Sequence, residues 1–504
     1  MTRSAPIVAP IRALLGIAGG LALGLVSAGI STAQAETPMG GFSMGGVGQR
    51  FELKASSLPA PYSRPPVGKA APSIVRPDGA MPRVPEGFVA SVFASGLSHP
   101  REMSVGPDGT IYVSQTREGN VLALRDSNGD GKADMRVTFA DGFREPTGLA
   151  VQGDALYVAD RRAVWRVGFD GEAMKALPRT LVTRPGALGT GGGHITRELL
   201  FAPDGEHFFV AIGSATNVGE DPHPRATIQQ FRADGNAQMT YASGLRNPLG
   251  LAFYPGTDDL YAVVNERFGL GAGLVPDYFT RLTPNGFYGY PYAYIGPHAD
   301  PQFGELRPDL VASSLAPDVL FQPHSGPSGL LFVKPVKRDA DGEEVAAGLP
   351  PEWTGDALVA LHGTWTEGAG ASTIVRVQFH NGKPEGAYET VVAGFGSSAK
   401  GGLWGRPVWL ARARDGSLLV SDDVANVIWR IRWTARNVVA SKVRPRVPET
   451  APSDEAPLIA SAPAEEALPD TGAGFATART TPPALSLAPQ AEPVSTTSAF
   501  APSH

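Results

Sequence analysis

His194 follows three glycines, Gly191–Gly193, and stands directly before the apolar run that begins at Ile195. A neutral imidazole there is a candidate general base near pH 7. The glycines free the backbone for an unusual turn or a close approach to a ligand. Arg246 and Asn247, in "SGLRNPLGLAF", hold the same place ahead of a second apolar run. A guanidinium fixed there presents a planar fork to a carboxylate or an oxyanion. His324 precedes "PSGLLF" and Arg406 precedes "PVWL". Any one of these residues reads equally well as part of a plain loop. Four at corresponding points of a repeating pattern predict one shared pocket.

Two further stretches carry chemistry more weakly. Tyr278, Phe279, Phe287, Tyr288, Tyr290, Tyr292 and Tyr294 crowd one segment. They could form a flat apolar wall for a planar cofactor or a sugar face, or could pack two long loops together. "DSNGDGKAD", Asp126–Asp134, has the spacing of the first half of a calcium loop. Val137 stands where the closing glutamate would be, so a hairpin turn serves as well.

The elements that must position these residues recur six times. Units begin near Pro100, Pro146, Ile195, Asn247, Pro327 and Arg406. Each has a small or proline-led entry, an alternating apolar strand, a turn such as "PDG", and a second alternating strand. Asp-Gly and Gly-Asp supply the positive φ of tight hairpins. Such a repeat predicts an all-β fold, a six-bladed β-propeller over residues 85–434. "GFVASVFASGL", Gly87–Leu97, is placed to complete a blade with the last strands and so close the ring. The longer spacings predict insertions near Gly269–Ala316 and Lys334–Pro350.

The ends differ in kind. Residues 1–35 carry Arg3 and Arg12, an apolar run from Leu14 to Ile30 and a terminal "AQA", which reads as a cleaved signal peptide and a periplasmic or secreted product. Residues 36–84 read as a linker or disordered N-terminal arm. Residues 435–504 read as a disordered tail rich in Pro and Ala, with too few apolar side chains to offset the entropy of ordering. No other run is long enough for an integral membrane domain. The 504 residues contain no cysteine, which excludes disulfides, thiolate metal sites and covalently attached c-type haem. The net charge of −6, with no run of five basic residues, argues against a nucleic-acid partner.

"GGGHITRELLFAPDG", "SGLRNPLGLAF", "VPDYFTRL…NGFYGYP" and "GRPV…DGSLLVSDD", in this order, resemble the glucose/sorbosone dehydrogenase family over about Pro85 to Trp433. The resemblance implies oxidation of a sugar or aldehyde sugar with pyrroloquinoline quinone (PQQ) and calcium as cofactors. It implies that His194 takes a proton from the sugar hydroxyl as hydride passes to the quinone. Arg246 and Asn247 fall on the pair that contacts PQQ, Arg246 also stabilising charge on the reduced quinone. Arg406 falls on an arginine that binds a PQQ carboxylate. Backbone carbonyls near Phe268 and Gly269 fall where calcium is held. With no haem motif, electrons would leave to an external acceptor, a cytochrome or a quinone. Thr366 and Glu367 depart from the family, whose members often carry Asn-Arg there, and one cofactor-binding cation is thereby missing. Two other readings stay open: a propeller lactonase with a channel metal, and a non-catalytic propeller that binds a glycan or an envelope protein.

Overall fold

The computed structural model describes residues 46–66, 71–170, 172–190, 192–335, 348–363, 372–397 and 402–434. Its strands form six sheets of four or five strands, joined mainly as antiparallel hairpins. The first strand of each unit is innermost: Pro100–Val105, Gly148–Gln152, Arg197–Phe201, Asn247–Phe253, Pro327–Phe332 and Pro407–Arg412. Each packs on the next, and the sixth packs on the first, so the six blades form a closed ring. The expected closure is present, with Phe88–Ala94 lying antiparallel to Val427–Trp433, Phe88 opposite Trp433. The signal-peptide segment, the tail from residue 435, and Thr366 and Glu367 lie outside the described residues.

The proline-led entries have a physical consequence. Proline gives no N–H to the ladder, and the register between inner and second strands slips after Pro100, Pro248, Pro327 and Pro407. Gly148, Gly250 and Gly329 hold one equivalent position near the start of the inner strand in blades two, four and five, close against the next blade. A Cβ on Gly148 would lie 2.1 Å from Arg197 O, and one on Gly250 would lie 2.3 Å from Ser328 O. Blades one and three carry Glu102 and Glu198 there instead. Glu102 Oε1 accepts the Leu149 N–H of blade two at 2.7 Å, and Glu198 lies beside Leu251 of blade four. The two carboxyl groups also hydrogen bond to each other.

Between the blades, apolar faces interdigitate around Trp429, Phe208, Phe279, Phe321 and Phe395, all fully buried. The larger insertion falls between the third and fourth strands of blade four, Pro276–Arg281 and Val319–Pro323. It lends Gly286–Phe287 to blade three as a parallel outer strand. The arm is partly structured: Arg50–Glu52 pairs with Lys383–Val392 at the edge of blade five. Among the described residues no helix is long and apolar enough to cross a membrane.

Candidate active site

All four predicted entry residues stand at one end of the ring, because each precedes the inner strand of its blade. The loop that carries His194 runs against the end of the second strand of the same blade. A Cβ on Gly193, whose φ is +78°, would lie 2.4 Å from Ala215 Cα and O. The third glycine therefore serves a backbone contact within the protein. A Cβ on Gly192 would meet nothing within 4 Å.

Ser214 orients the imidazole. Its carbonyl accepts the His194 N–H at 3.1 Å and lies 3.0 Å from Nδ1. The Ser214 hydroxyl donates to Thr216 O at 2.7 Å and leaves Oγ 3.1 Å from Nδ1. A carbonyl oxygen only accepts, so Nδ1 carries the hydrogen and Nε2 keeps the lone pair. Burial pushes the His194 pKa down to about 3, with Arg246, Arg225 and Arg197 acting in the same direction and the Ser214 hydrogen bond opposing. The ring is neutral at pH 7. Its charged neighbours are cations rather than a carboxylate, and Nε2 is free of the Ser214 contact.

Arg246 is buried and bracketed by Asn217. Its Nε donates to Asn217 O at 2.8 Å and Nη2 to Asn217 Oδ1 at 3.0 Å. The guanidinium lies over the Phe268 ring, 5.3 Å from its centroid. Phe268 in turn stacks on His324 at 4.7 Å, which ties His324 to Arg246. Burial, helped by the Arg246 charge, lowers the His324 pKa to about 4. Behind Arg246, burial raises Glu266 to about 7 and Asp277 to about 6, both against the pull of the guanidinium. Asn247 Oδ1 is buried without a hydrogen-bond partner, and a Cβ on Gly213 would lie 2.2 Å from it and 2.8 Å from His194 Cβ. The fold thus brings His194 and Asn247 together on either side of a residue that has to be glycine.

Arg406 is fully buried at the entry of blade six. Its N–H donates to Asp422 Oδ1 at 2.8 Å, and Nη2 reaches Ala71 O of the arm at 3.5 Å. Beside it Asp423 gathers Arg101 at 2.7 Å, His362 at 3.0 Å and His99 at 3.5 Å, across the seam of blades five, six and one. Despite its burial, Asp423 is held far below the usual carboxylate range, chiefly by His362 and Arg101.

Other expectations need correction. Tyr278, Phe279, Tyr288, Tyr290 and Tyr294 are buried in the core, not arrayed as a wall. Strand alternation puts Tyr278 and Phe279 on opposite faces of blade four, Tyr278 packed toward blade three and Phe279 toward blade five. Tyr290 joins the insertion to the His194 segment, its hydroxyl 3.1 Å from Asp221 Oδ2. The Asp126 carboxylate accepts the N–H groups of Gly129, Asp130 and Gly131 and so builds a turn. No group of three or more His, Cys, Asp or Glu among the described residues is arranged to hold a metal. Phe268 O already accepts Asn217 Nδ2 at 3.1 Å and Arg267 Nε at 3.3 Å. Gly269 beside it is exposed. The sequence reading missed Asn217 and Ser214. Both lie just after the second strand of blade three, beyond the quoted stretch, and only the chain path shows that they grip His194 and Arg246.

Fold and site together define a six-bladed β-propeller whose blade entries set buried arginines and neutral histidines at one end of the ring. Residues 82–270 match the family model described as TrAA12-like, a span that holds His194, Arg246, Asn247, Phe268 and Gly269. The chain is similar in fold to the PQQ domain of pyranose dehydrogenase from Coprinopsis cinerea, at 19% identity and TM-score 0.56, over 72% of this chain and 100% of that one. A calcium structure of the carbohydrate-active enzyme family AA12 from Trichoderma reesei matches at 19% identity and TM-score 0.57, with the same coverage. The soluble aldose sugar dehydrogenase of Escherichia coli matches at 15% identity and TM-score 0.50, over 69% of this chain and 99% of that one. An uncharacterized protein of Borreliella burgdorferi is 24% identical over 362 residues, covering 69% of this chain and 90% of its own length.

Proposed function

We propose that this chain is a PQQ-dependent sugar dehydrogenase that oxidises a sugar or aldehyde sugar. The observation that carries the reading is the state of His194: Nδ1 is committed to Ser214, Nε2 keeps its lone pair, and buried Arg246 stands nearby. The TrAA12-like match over this region supports it. PQQ, when bound, supplies a two-electron acceptor that takes hydride from the substrate carbon. The residues fit such a group. Arg246 and Arg406 are buried guanidiniums suited to carboxylates, and Asn247 Oδ1 is a buried acceptor without a donor.

His194 Nε2 accepts the proton of the substrate hydroxyl, and Nδ1 stays hydrogen bonded to Ser214 throughout. Arg246 stabilises negative charge that develops beside it. Calcium at Phe268 and Gly269 does not fit, because two N–H donors already occupy the Phe268 carbonyl. Electrons leave to an external cytochrome or quinone. The chain acts in the periplasm or outside the cell once residues 1–35 are removed.

The test is titration of the purified chain with PQQ, followed by absorbance, then dye reduction with a panel of aldoses. Saturable PQQ binding and sugar-dependent reduction are expected, and failure to bind PQQ with or without calcium overturns the proposal.

A further inference from the structure

We propose that Arg225 is a positioning residue for His194, locking the loop that carries the imidazole to the strand end that receives it. The inference rests on the reading of His194 as the base. Arg225 lies just before the third strand of blade three, Thr227–Arg232, 31 positions beyond His194 in the chain, and is 4% exposed. Its Nη1 donates to His194 O at 3.1 Å and to Gly213 O at 3.2 Å. Gly213 directly precedes Ser214, whose carbonyl takes both the His194 N–H and Nδ1. One nitrogen therefore spans both sides of the histidine's own contact. Nη2 donates to Thr190 O at 3.0 Å and to Gly192 O at 2.7 Å, on the glycine side of the loop.

The loop has no strand partner to satisfy these carbonyls, and buried carbonyls need donors. Arg197 holds His194 O a second time, at 2.9 Å, together with Leu188 O and Thr196 O. Arg197 belongs to the same inner strand as the loop's exit and cannot tie it to Gly213. Among the described side chains that donate to the loop's carbonyls, Arg225 also reaches Gly213 O on the facing strand end, and it needs a planar fork to do so. An ammonium is a point charge and cannot reach four carbonyls in that arrangement. The Arg225 charge also helps to keep the imidazole neutral.

The test uses the full chain with labelled histidine. Its His194 ring resonances are assigned by their loss in His194→Gln, and it is compared with Arg225→Lys and Arg225→Ala. In the apo protein, Arg225→Ala is expected to shift the His194 titration to higher pH and to lose the single Nδ1–H tautomer. Arg225→Lys is expected to keep the titration low but to lose the tautomer. With PQQ loaded, kcat is expected to fall about 10- to 100-fold, KM to stay within about 2-fold, and millimolar guanidinium to restore part of the rate in Arg225→Ala. An unchanged His194 tautomer and titration in Arg225→Ala overturns the proposal. So does failure of both variants to fold, which makes Arg225 a structural residue. If the wild-type chain binds no PQQ, the dehydrogenase reading falls, while the apo resonances still decide the role of Arg225.

Discussion

The protonation state of His194 is decided first by burial, then by three cations and a carbonyl. A folded pKa lowered to about 3 means that the proton-accepting form persists as pH falls below the ordinary histidine range. The acid limb of kcat/KM, which reports the free enzyme, should therefore lie well below pH 6.5. Arg246→Met removes the largest of the charges acting on the ring and should move that limb upward. A wild-type limb near 6.5, unmoved by Arg246→Met, would contradict the geometry. His194→Ala should lower kcat by about 100- to 10,000-fold, the usual range for a general base, while PQQ titration still saturates.

At the scale of elements, the glycines sort into those that are required and those that are free. Gly213 ends the second strand of blade three, and a Cβ there has no room beside Asn247 Oδ1 and His194 Cβ. Gly213→Ala should cost about 1–3 kcal/mol in urea unfolding, the usual range for overpacking, and should weaken PQQ binding. Gly192→Ala, in open space, should change stability by less than about 0.5 kcal/mol. Gly250 seats blade four against blade five. Alanine there would meet the Ser328 carbonyl, which is backbone and cannot swing away.

The whole molecule is held by its ring, and the ring has a pH-sensitive seam. Glu102 and Glu198 are buried beside each other between blades, with Arg101 as a nearby cation. Burial raises both carboxyl groups above their ordinary range. The folded protein therefore keeps a proton that the unfolded chain releases above about pH 4.3. Stability from this pair is full below that pH and is lost as pH rises toward and beyond neutrality, by at most about 1.4 kcal/mol per pH unit per proton. Urea midpoints measured across this window should fall with pH in the wild type and fall less in Glu198→Gln. The same ring depends on Phe88–Ala94 to cover the edge of Val427–Trp433. A chain beginning after Ala94 should expose that edge and elute as oligomers or aggregate in size-exclusion chromatography.

The sequence by itself determined the blade count, the closing strand and the common end of the ring at which His194, Arg246, His324 and Arg406 stand. These follow from local periodicity and turn chemistry, which recur at every unit and need no long-range information. It also singled out Asn247, whose place next to Arg246 is fixed by adjacency along the chain. Only the tertiary structure decided what grips them. Ser214 meets His194 twenty positions away along the chain, Asn217 meets Arg246, and Arg225 reaches four carbonyls in two segments. No repeat or spacing encodes those pairings, because they arise where loops from different strands converge. The same holds for the tyrosines of the insertion. Their composition is compatible with a cofactor wall or with a core, and burial alone distinguishes the two.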